Sequence, residues 1–260
     1  MARTRKSPRW PLALSLAVLA AACAHRTAEA PPVVPGLDLR LPVTGGPDTI
    51  VYARSVTSAD GGSTRAGTRT VVLRVVGTGG RARLLEVVQR FPGGGGEIVD
   101  TALAELGTLR AVEHESHQPA RTMRFRFGPA DVAGTVAVRG PAGDSVAQVR
   151  QSLGSPIFDS NIIDLVIAAL PLRSGFSAEL PFFIYELGGL VPMQVAVEER
   201  RTLAFAAVGR REAWVVTVAV PGAPATVWVD TRTRAVLRVR YDIPARGTSF
   251  TDDRMTPLTA

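Results

Sequence analysis

The feature that most constrains this chain is a two-residue alternation of apolar and polar side chains that recurs along most of its length. In residues 69–76, Val71, Leu73 and Val75 share one face, and after the turn signal Gly77-Thr78-Gly79-Gly80 the residues Leu85, Val87 and Phe91 do the same. Gly93 to Gly96 then mark a second turn, followed by strand-like segments at 97–106, 108–117, 120–127 (Met123, Phe125 and Phe127 inward) and 131–138. The C-terminal half repeats the pattern with Val191, Met193, Val195 and Val197; then Trp214, Val216, Val218 and Val220; then residues 226–230; then Leu237, Val239 and Tyr241. Connections this short, with no helix between them, join antiparallel neighbours. The reading is a mainly β chain with one body at residues 49–245 and a tail at 246–260, where the alternation lapses and fraying is expected.

One segment breaks the pattern. Asp159, Ser160 and Asn161 offer an N-cap, residues 162–170 form a helical stretch of about three turns, and Pro171 stops it. Ile162, Ile163, Leu165, Val166, Ile167 and Leu170 point around nearly the whole circumference, and a helix apolar on all sides is buried on most of them. The geometry that satisfies both patterns is a strongly curved antiparallel sheet, a half-open barrel, wrapped around one short apolar helix. Asp164, the one charge in the helix, reads as an anion favoured by the dipole near a helix N-terminus.

The N-terminus carries a different message. Arg3, Arg5, Lys6 and Arg9 precede an apolar run over residues 10–22, too short to cross a bilayer, which ends in Leu19-Ala20-Ala21-Ala22-Cys23. Cys23 is the single cysteine of the chain, so disulfides and thiolate metal sites are excluded. These residues resemble the lipobox of bacterial lipoproteins. The resemblance implies removal of residues 1–22 and lipidation of Cys23, with Ala24 favouring the outer membrane, facing the periplasm. An ordinary secretory signal cut near Ala22, or an uncleaved anchor, is the competing reading, and either also places the body outside the cytoplasm. Each buried methylene contributes about 0.8 kcal/mol, so a multiply acylated cysteine holds its protein on a membrane. Residues 23–48, with Pro31, Pro32, Pro35, Pro42 and Pro47, read as an extended tether without a fold of its own.

Loss of the four leader cations takes the formal charge from +7 to +3, and the remaining arginines are scattered with no basic patch interleaved with stacking aromatics. That argues against nucleic acid as a partner. The densest polar cluster, Glu113-His114-Glu115-Ser116-His117, puts His114 and His117 on opposite faces of a strand and reads as a solvated strand face more readily than as a metal site. No Gly-x-Ser-x-Gly turn is present, Gly93 to Gly96 lacks the ending of a phosphate loop, and Asp252-Asp253 falls in the expected frayed tail. No enzyme activity, cofactor or metal is expected.

The lipobox, the run of strands, the segment FDSNIIDLVIAALPL from Phe158, and AWVVTVAV, TVWVD and TRAVLRVRY near the end together resemble a family of bacterial envelope proteins similar in fold to the lipoprotein-sorting half-barrels LolA and LolB. The resemblance covers residues 48–242. It implies a concavity able to admit acyl chains, with Ile163, Val166 and Ile167 as candidate ligand-lining residues and the Ser174-Gly175 region as a movable rim. It supplies no catalytic residue. Two functions follow as expectations: a membrane-tethered protein binding a lipid, acyl chain or lipidated partner in the concavity, or an envelope interaction protein with a filled core. A hydrolase is the remote third.

Replacing Cys23 by Ser is expected to abolish acylation and membrane retention while leaving the body folded. Metabolic labelling with a fatty acid and detergent phase partition check it; a Cys23→Ser protein still acylated or still partitioning with the membrane would refute the lipobox.

Overall fold

The computed structural model describes residues 39–41, 48–77, 83–93, 95–140 and 143–258. Cys23 and the leader lie outside them. Fifteen strands form one sheet: β1 (Asp48–Thr57), β2 (Ser63–Val76), β3 (Leu84–Gly93), β4 (Gly96–Glu105), β5 (Ala111–Gln118), β6 (Arg121–Phe127), β7 (Asp131–Val138), β8 (Ser145–Ser152), β9 (Phe158–Asp159), β10 (Ser177–Ile184), β11 (Gly189–Phe205), β12 (Gly209–Val218), β13 (Ala225–Asp230), β14 (Val236–Ile243) and β15 (Thr248–Arg254). A 3₁₀ turn at Ser160–Ile162 leads into the helix α1 (Ile163–Ala169) between β9 and β10. The strand order is β8-β7-β6-β5-β4-β3-β2-β1-β15-β14-β13-β12-β11-β10-β9, antiparallel throughout except for the parallel pair β9–β10.

That order dictates curvature. The chain runs outward from β1 to the edge strand β8, then passes directly to the opposite edge at β9 through residues 153–157 alone. Laid flat at ~4.8 Å per strand, the two edges would stand about 65 Å apart. A five-residue connection reaches at most about 20 Å. The sheet therefore curls until its edges face each other. Side chains seal this seam: Phe125 and Phe127 of β6 each meet Phe183 of β10 with ring centroids 5.3 Å apart. One backbone bond crosses it, from Ala111 N–H to the Ile157 carbonyl at 2.9 Å. The sheet stays open, without a ladder along the seam, which is the single curved sheet around one short helix expected from the alternation.

The enclosed space is filled by α1. Asp159 caps the 3₁₀ turn, its carboxylate accepting from the Asn161 N–H at 2.8 Å. Every residue of the helix is buried, Val166, Ile167, Ala168 and Ala169 completely. They pack against inward rows that include Val71, Leu73, Leu85, Val87, Met193, Val195, Val216 and Val227. Burial of each aliphatic side chain contributes about 1.5–3 kcal/mol, so the helix is held by its surroundings and not by its own few backbone bonds.

Three expectations need correction. Within the stretch read as a frayed tail, residues 248–254 form β15, which lies at the middle of the sheet, bonded to β1 on one side and β14 on the other, and joins the two meanders. Its alternation was hidden because its inward positions carry Asp252 and Arg254, which are buried as ions. The segment read as a tether also contributes structure at residues 39–41, where the Arg40 N–H donates to the Ala169 carbonyl at 2.7 Å and Leu39 and Leu41 pack on the core. A helix end leaves such carbonyls unsatisfied, and here the incoming chain takes one. Finally, Leu237 does not share a face with Val239. A bulge between Trp228 and Val229 shifts the register, so Leu237 packs with Phe205 and Ala213 on the outer side.

Val166→Asp is expected to destabilise the fold by at least about 4 kcal/mol, because no partner stands within reach to compensate a carboxylate at a fully buried position. Urea denaturation checks this, and Ile163→Asp, at a site bordering a cavity, is expected to cost less.

Candidate functional site

The concave face is apolar except along one belt, and the belt follows from strand register. Arg69 of β2 lies opposite Tyr52 of β1, which lies opposite Arg254 of β15. One step along the sheet, Gln89 of β3 lies opposite Asp100 of β4, and Asp100 opposite Ser116 of β5. All of these positions are in phase with the core-facing rows of their strands. The polar groups thus line one level of the concavity, beside the 3₁₀ turn that starts the helix.

Arg69 is the hub, with 3% of its surface exposed. Its Nε donates to Gln89 Oε1 at 3.0 Å, Nη1 to Asp252 Oδ2 at 3.3 Å and Nη2 to Asp164 Oδ2 at 2.5 Å. The guanidinium also sits over the Tyr52 ring at 5.2 Å. Arg54 completes the network by donating Nε and Nη2 to the two oxygens of Asp252, each at 2.7 Å. Asp164 therefore does more than answer the helix dipole: it ties α1 to β2. Burial works against the Arg69 charge, but Asp164 and its other neighbours hold the group protonated. Burial pushes the Tyr241 hydroxyl of this cavity up to about 12, and the Tyr52 hydroxyl higher. Arg54 and Arg69 thus pair with Asp164 and Asp252, and Arg254 donates to the Thr256 and Pro257 carbonyls, so this half of the belt is closed upon itself.

The other half is not closed. His114 turns inward from β5, its Nδ1 lying 3.1 and 3.0 Å from the two oxygens of Asp159, which is 1% exposed. The Asn161 side-chain nitrogen lies 3.2 Å from the same Nδ1, and Nε2 is on the other side of the ring. Neither His114 Nε2 nor Asp100 Oδ1 has a hydrogen-bond partner among the described residues, although both atoms are buried. Burial raises the Asp100 carboxyl, against the hydrogen bond from Ser116 and the charge of His114. Burial opposes charge on His114 as well, but Asp159, and to a lesser degree Asp100 and Glu186, raise it overall.

Two cavities open along the belt. One, of about 100 Å³, is lined by Asp100, His114, Ser116, Gln118, Phe125 and Tyr185 among others. The second, of about 180 Å³, is lined by Arg54, Arg69, Gln89, Phe91, Ile163, Asp164 and Tyr241. Asp100, Ser160 and Asn161 line both and form the wall between them. Of the residues expected to meet a ligand, Ile163 borders the second cavity, whereas Val166 and Ile167 lie wholly inside the packed core.

His114 stands beside Asp159, Ser116 and Ser160 line the same cavity, and neither hydroxyl is hydrogen-bonded to His114 Nε2. Among the described residues no group of three or more His, Cys, Asp or Glu side chains is placed to hold a metal ion. The solvated face expected for Glu113 to His117 is half of the arrangement: Glu113, Glu115 and His117 pair outside with Arg126, Arg124 and each other, while His114 points inward. The signal for the site was a polar residue in phase with an apolar row, at Arg69, Gln89, Asp100 and His114.

Asp100 and His114 both bind protons more tightly in the folded protein than in the unfolded chain. Each contributes stability in full below its unfolded pKa, about 3.9 for Asp and 6.5 for His, and loses it as pH rises through the raised folded value. Asp100→Asn removes the first of these losses. It is expected to stabilise the fold at pH 7 by about 1 kcal/mol, the cost of a buried group left unpaired, and to flatten the decline in stability above pH 4. Urea midpoints of the two proteins across pH 4–8 check this; equal stability at neutral pH would mean that Asp100 is satisfied.

No curated protein matches the chain. Two solved structures align over most of it: a DUF1329 family protein from Desulfovibrio piger ATCC 29098, 10% identical, covering 82% of this chain and 85% of that one at a TM-score of 0.31, and a protein described as exported with a YmcC-like fold from Bacteroides fragilis NCTC 9343, 10% identical, covering 84% and 98% at a TM-score of 0.28. Both are distant likenesses. The family described as "Protein of unknown function (DUF3108)" matches residues 50–251, which span the sheet from β1 into β15 and include Arg69, Gln89, Asp100, His114 and Asp164, and the chain belongs to that family.

Proposed function

We propose that this protein is a lipid-anchored component of the bacterial envelope that binds an amphiphilic ligand in the concavity of its sheet, without a catalytic step. The observation that carries the reading is the pair of unpartnered buried atoms, Asp100 Oδ1 and His114 Nε2, on two residues that line one cavity of the concave face. Leaving a buried polar atom unpaired costs about 1–3 kcal/mol. Such a cost is borne where a ligand supplies the missing partner, and functional sites are where a fold departs from its stability optimum. Phe91, Ile163, Met123, Phe125 and Phe183 border the same two cavities and offer apolar surface to the rest of a ligand. A carrier related in kind to the half-barrel sorting proteins fits this arrangement, with the acyl anchor of Cys23 keeping it at the outer membrane where its ligands are.

The interaction-protein reading has one observation of its own: the space around α1 is packed, with Val166 and Ile167 wholly buried, so an acyl chain would have to displace core side chains to lie along the helix. The two readings part on a simple measurement. The Cys23→Ser protein, secreted and purified without detergent, is examined by native mass spectrometry and lipid extraction. Stoichiometric co-purifying ligand, or uptake of added lipid, is the expected result; a clean apo mass with no uptake overturns the carrier and leaves the docking protein.

A further inference from the structure

We infer that the cavity between Asp100 and His114 is a subsite for a protonated primary amine, so that the ligand of the concavity enters amine first. The inference rests on the binding reading above and narrows it to a chemical class. It begins from charge. In the larger cavity Arg54 and Arg69 are matched by Asp164 and Asp252, and no cation is left over. In the smaller one, both oxygens of Asp159 are engaged by His114 and one also by the Asn161 N–H, while Glu186 at the rim is paired with Arg121. The remaining charge is the carboxylate of Asp100, 8% exposed, with one oxygen unpartnered. The surplus charge of the cavity is negative.

The hydrogen-bonding pattern points the same way. Asp100 Oδ1 is an acceptor without a donor, and Ser116 Oγ, which accepts from Gln118 Nε2 at 3.2 Å, adds further lone-pair capacity. A ligand that is itself only an acceptor, such as a phosphate or carboxylate, would bring like charge against Asp100 and leave its oxygen unsatisfied. A quaternary ammonium brings the right charge but no N–H. A primary ammonium brings three donors and one positive charge, and so supplies both the donor and the countercharge that Asp100 lacks. The aromatic rings of Phe125 and Tyr185, with centroids 5.5 Å apart, line the same space. A volume of about 100 Å³ holds the equivalent of about three waters at ~30 Å³ each, room for an ammonium and one or two methylenes. The remainder of the ligand must extend past the wall of Asp100, Ser160 and Asn161 or out through the rim. A terminal amine of this kind is carried by an ethanolamine lipid headgroup and equally by a free soluble amine.

The test uses the full-length lipidated protein in phosphatidylcholine nanodiscs, with ¹⁵N-labelled histidine, so that the His114 Nε2 resonance reports the site directly. Ethanolamine is expected to shift that resonance saturably and choline is not, and Asp100→Asn, folded by circular dichroism, is expected to weaken the response at least about tenfold through loss of one charge-assisted hydrogen bond. Soluble ethanolamine displaced when phosphatidylethanolamine is added to the discs identifies a lipid headgroup as the source; ethanolamine bound but undisplaced identifies a free amine. Equal responses to ethanolamine and choline, or an unchanged response in folded Asp100→Asn, overturn the assignment. Failure here is separable from failure of the carrier: no amine response, with a ligand still co-purifying on the Cys23→Ser protein, removes the amine class alone, and a clean apo mass as well removes both.

Discussion

A helix that offers no face to water must be enclosed, and most of this architecture follows from enclosing α1. Its seven residues are all buried, so it cannot lie on a sheet with solvent behind it. It also follows directly on the short passage from one sheet edge to the other, residues 153–157, and that passage can be bridged only if fifteen strands curl round. Curling and enclosure are the same event seen from the backbone and from the side chains. The seam that results is closed by the side chains of Phe125, Phe127 and Phe183 and not by a strand ladder.

Enclosing a helix by a sheet leaves the ends of the helix to be satisfied, and this is where polar residues enter the concavity. At the C-terminal end the chain before β1 supplies one N–H through Arg40. At the N-terminal end Asp159 caps the turn, Gln89 reaches the Asn161 carbonyl, and Asp164 takes Arg69. Breaking a buried ion pair of the Arg69 kind costs about 3–5 kcal/mol because the partner charge is stranded, so the belt fixes the helix in one position relative to β2 and β15. The same buried charges that position the helix also set the field in which Asp100 and His114 are left incomplete. The structural network and the proposed ligand site are thus adjacent, with Asp100 at the boundary between a half that is closed and a half that is not.

Much of the fold was legible because alternation is a local property. Val71, Leu73 and Val75, or Met123, Phe125 and Phe127, announce their face without reference to anything distant, and residues 162–170 announce a buried helix in the same way. The site was harder to read for a physical reason: its members break the local rule. Arg69, Gln89, Asp100, His114 and Asp252 stand at core-facing positions, where a polar residue looks like noise in the pattern or, for Asp252, like the end of it. His114 was camouflaged by Glu113, Glu115 and His117, which form a surface ion cluster on the opposite face of the same strand. Each is interpretable only when its partner from a distant strand is known: Arg69 and Asp252 are 183 residues apart, and His114 and Asp159 are 45 apart.

By itself, then, the amino-acid order determined the strand-rich class and the one buried helix and its cap, because each depends on periodicity or spacing within a few turns of chain. Tertiary structure alone decided that residues 248–254 are a central strand, that the sheet curls edge to edge, and that five polar side chains from β2, β3, β4, β5 and β15 meet at one level of the concavity. Those outcomes depend on register between strands far apart in sequence. Charge pairing across such distances is set by the closed shape of the sheet and leaves no trace in any short window of the chain.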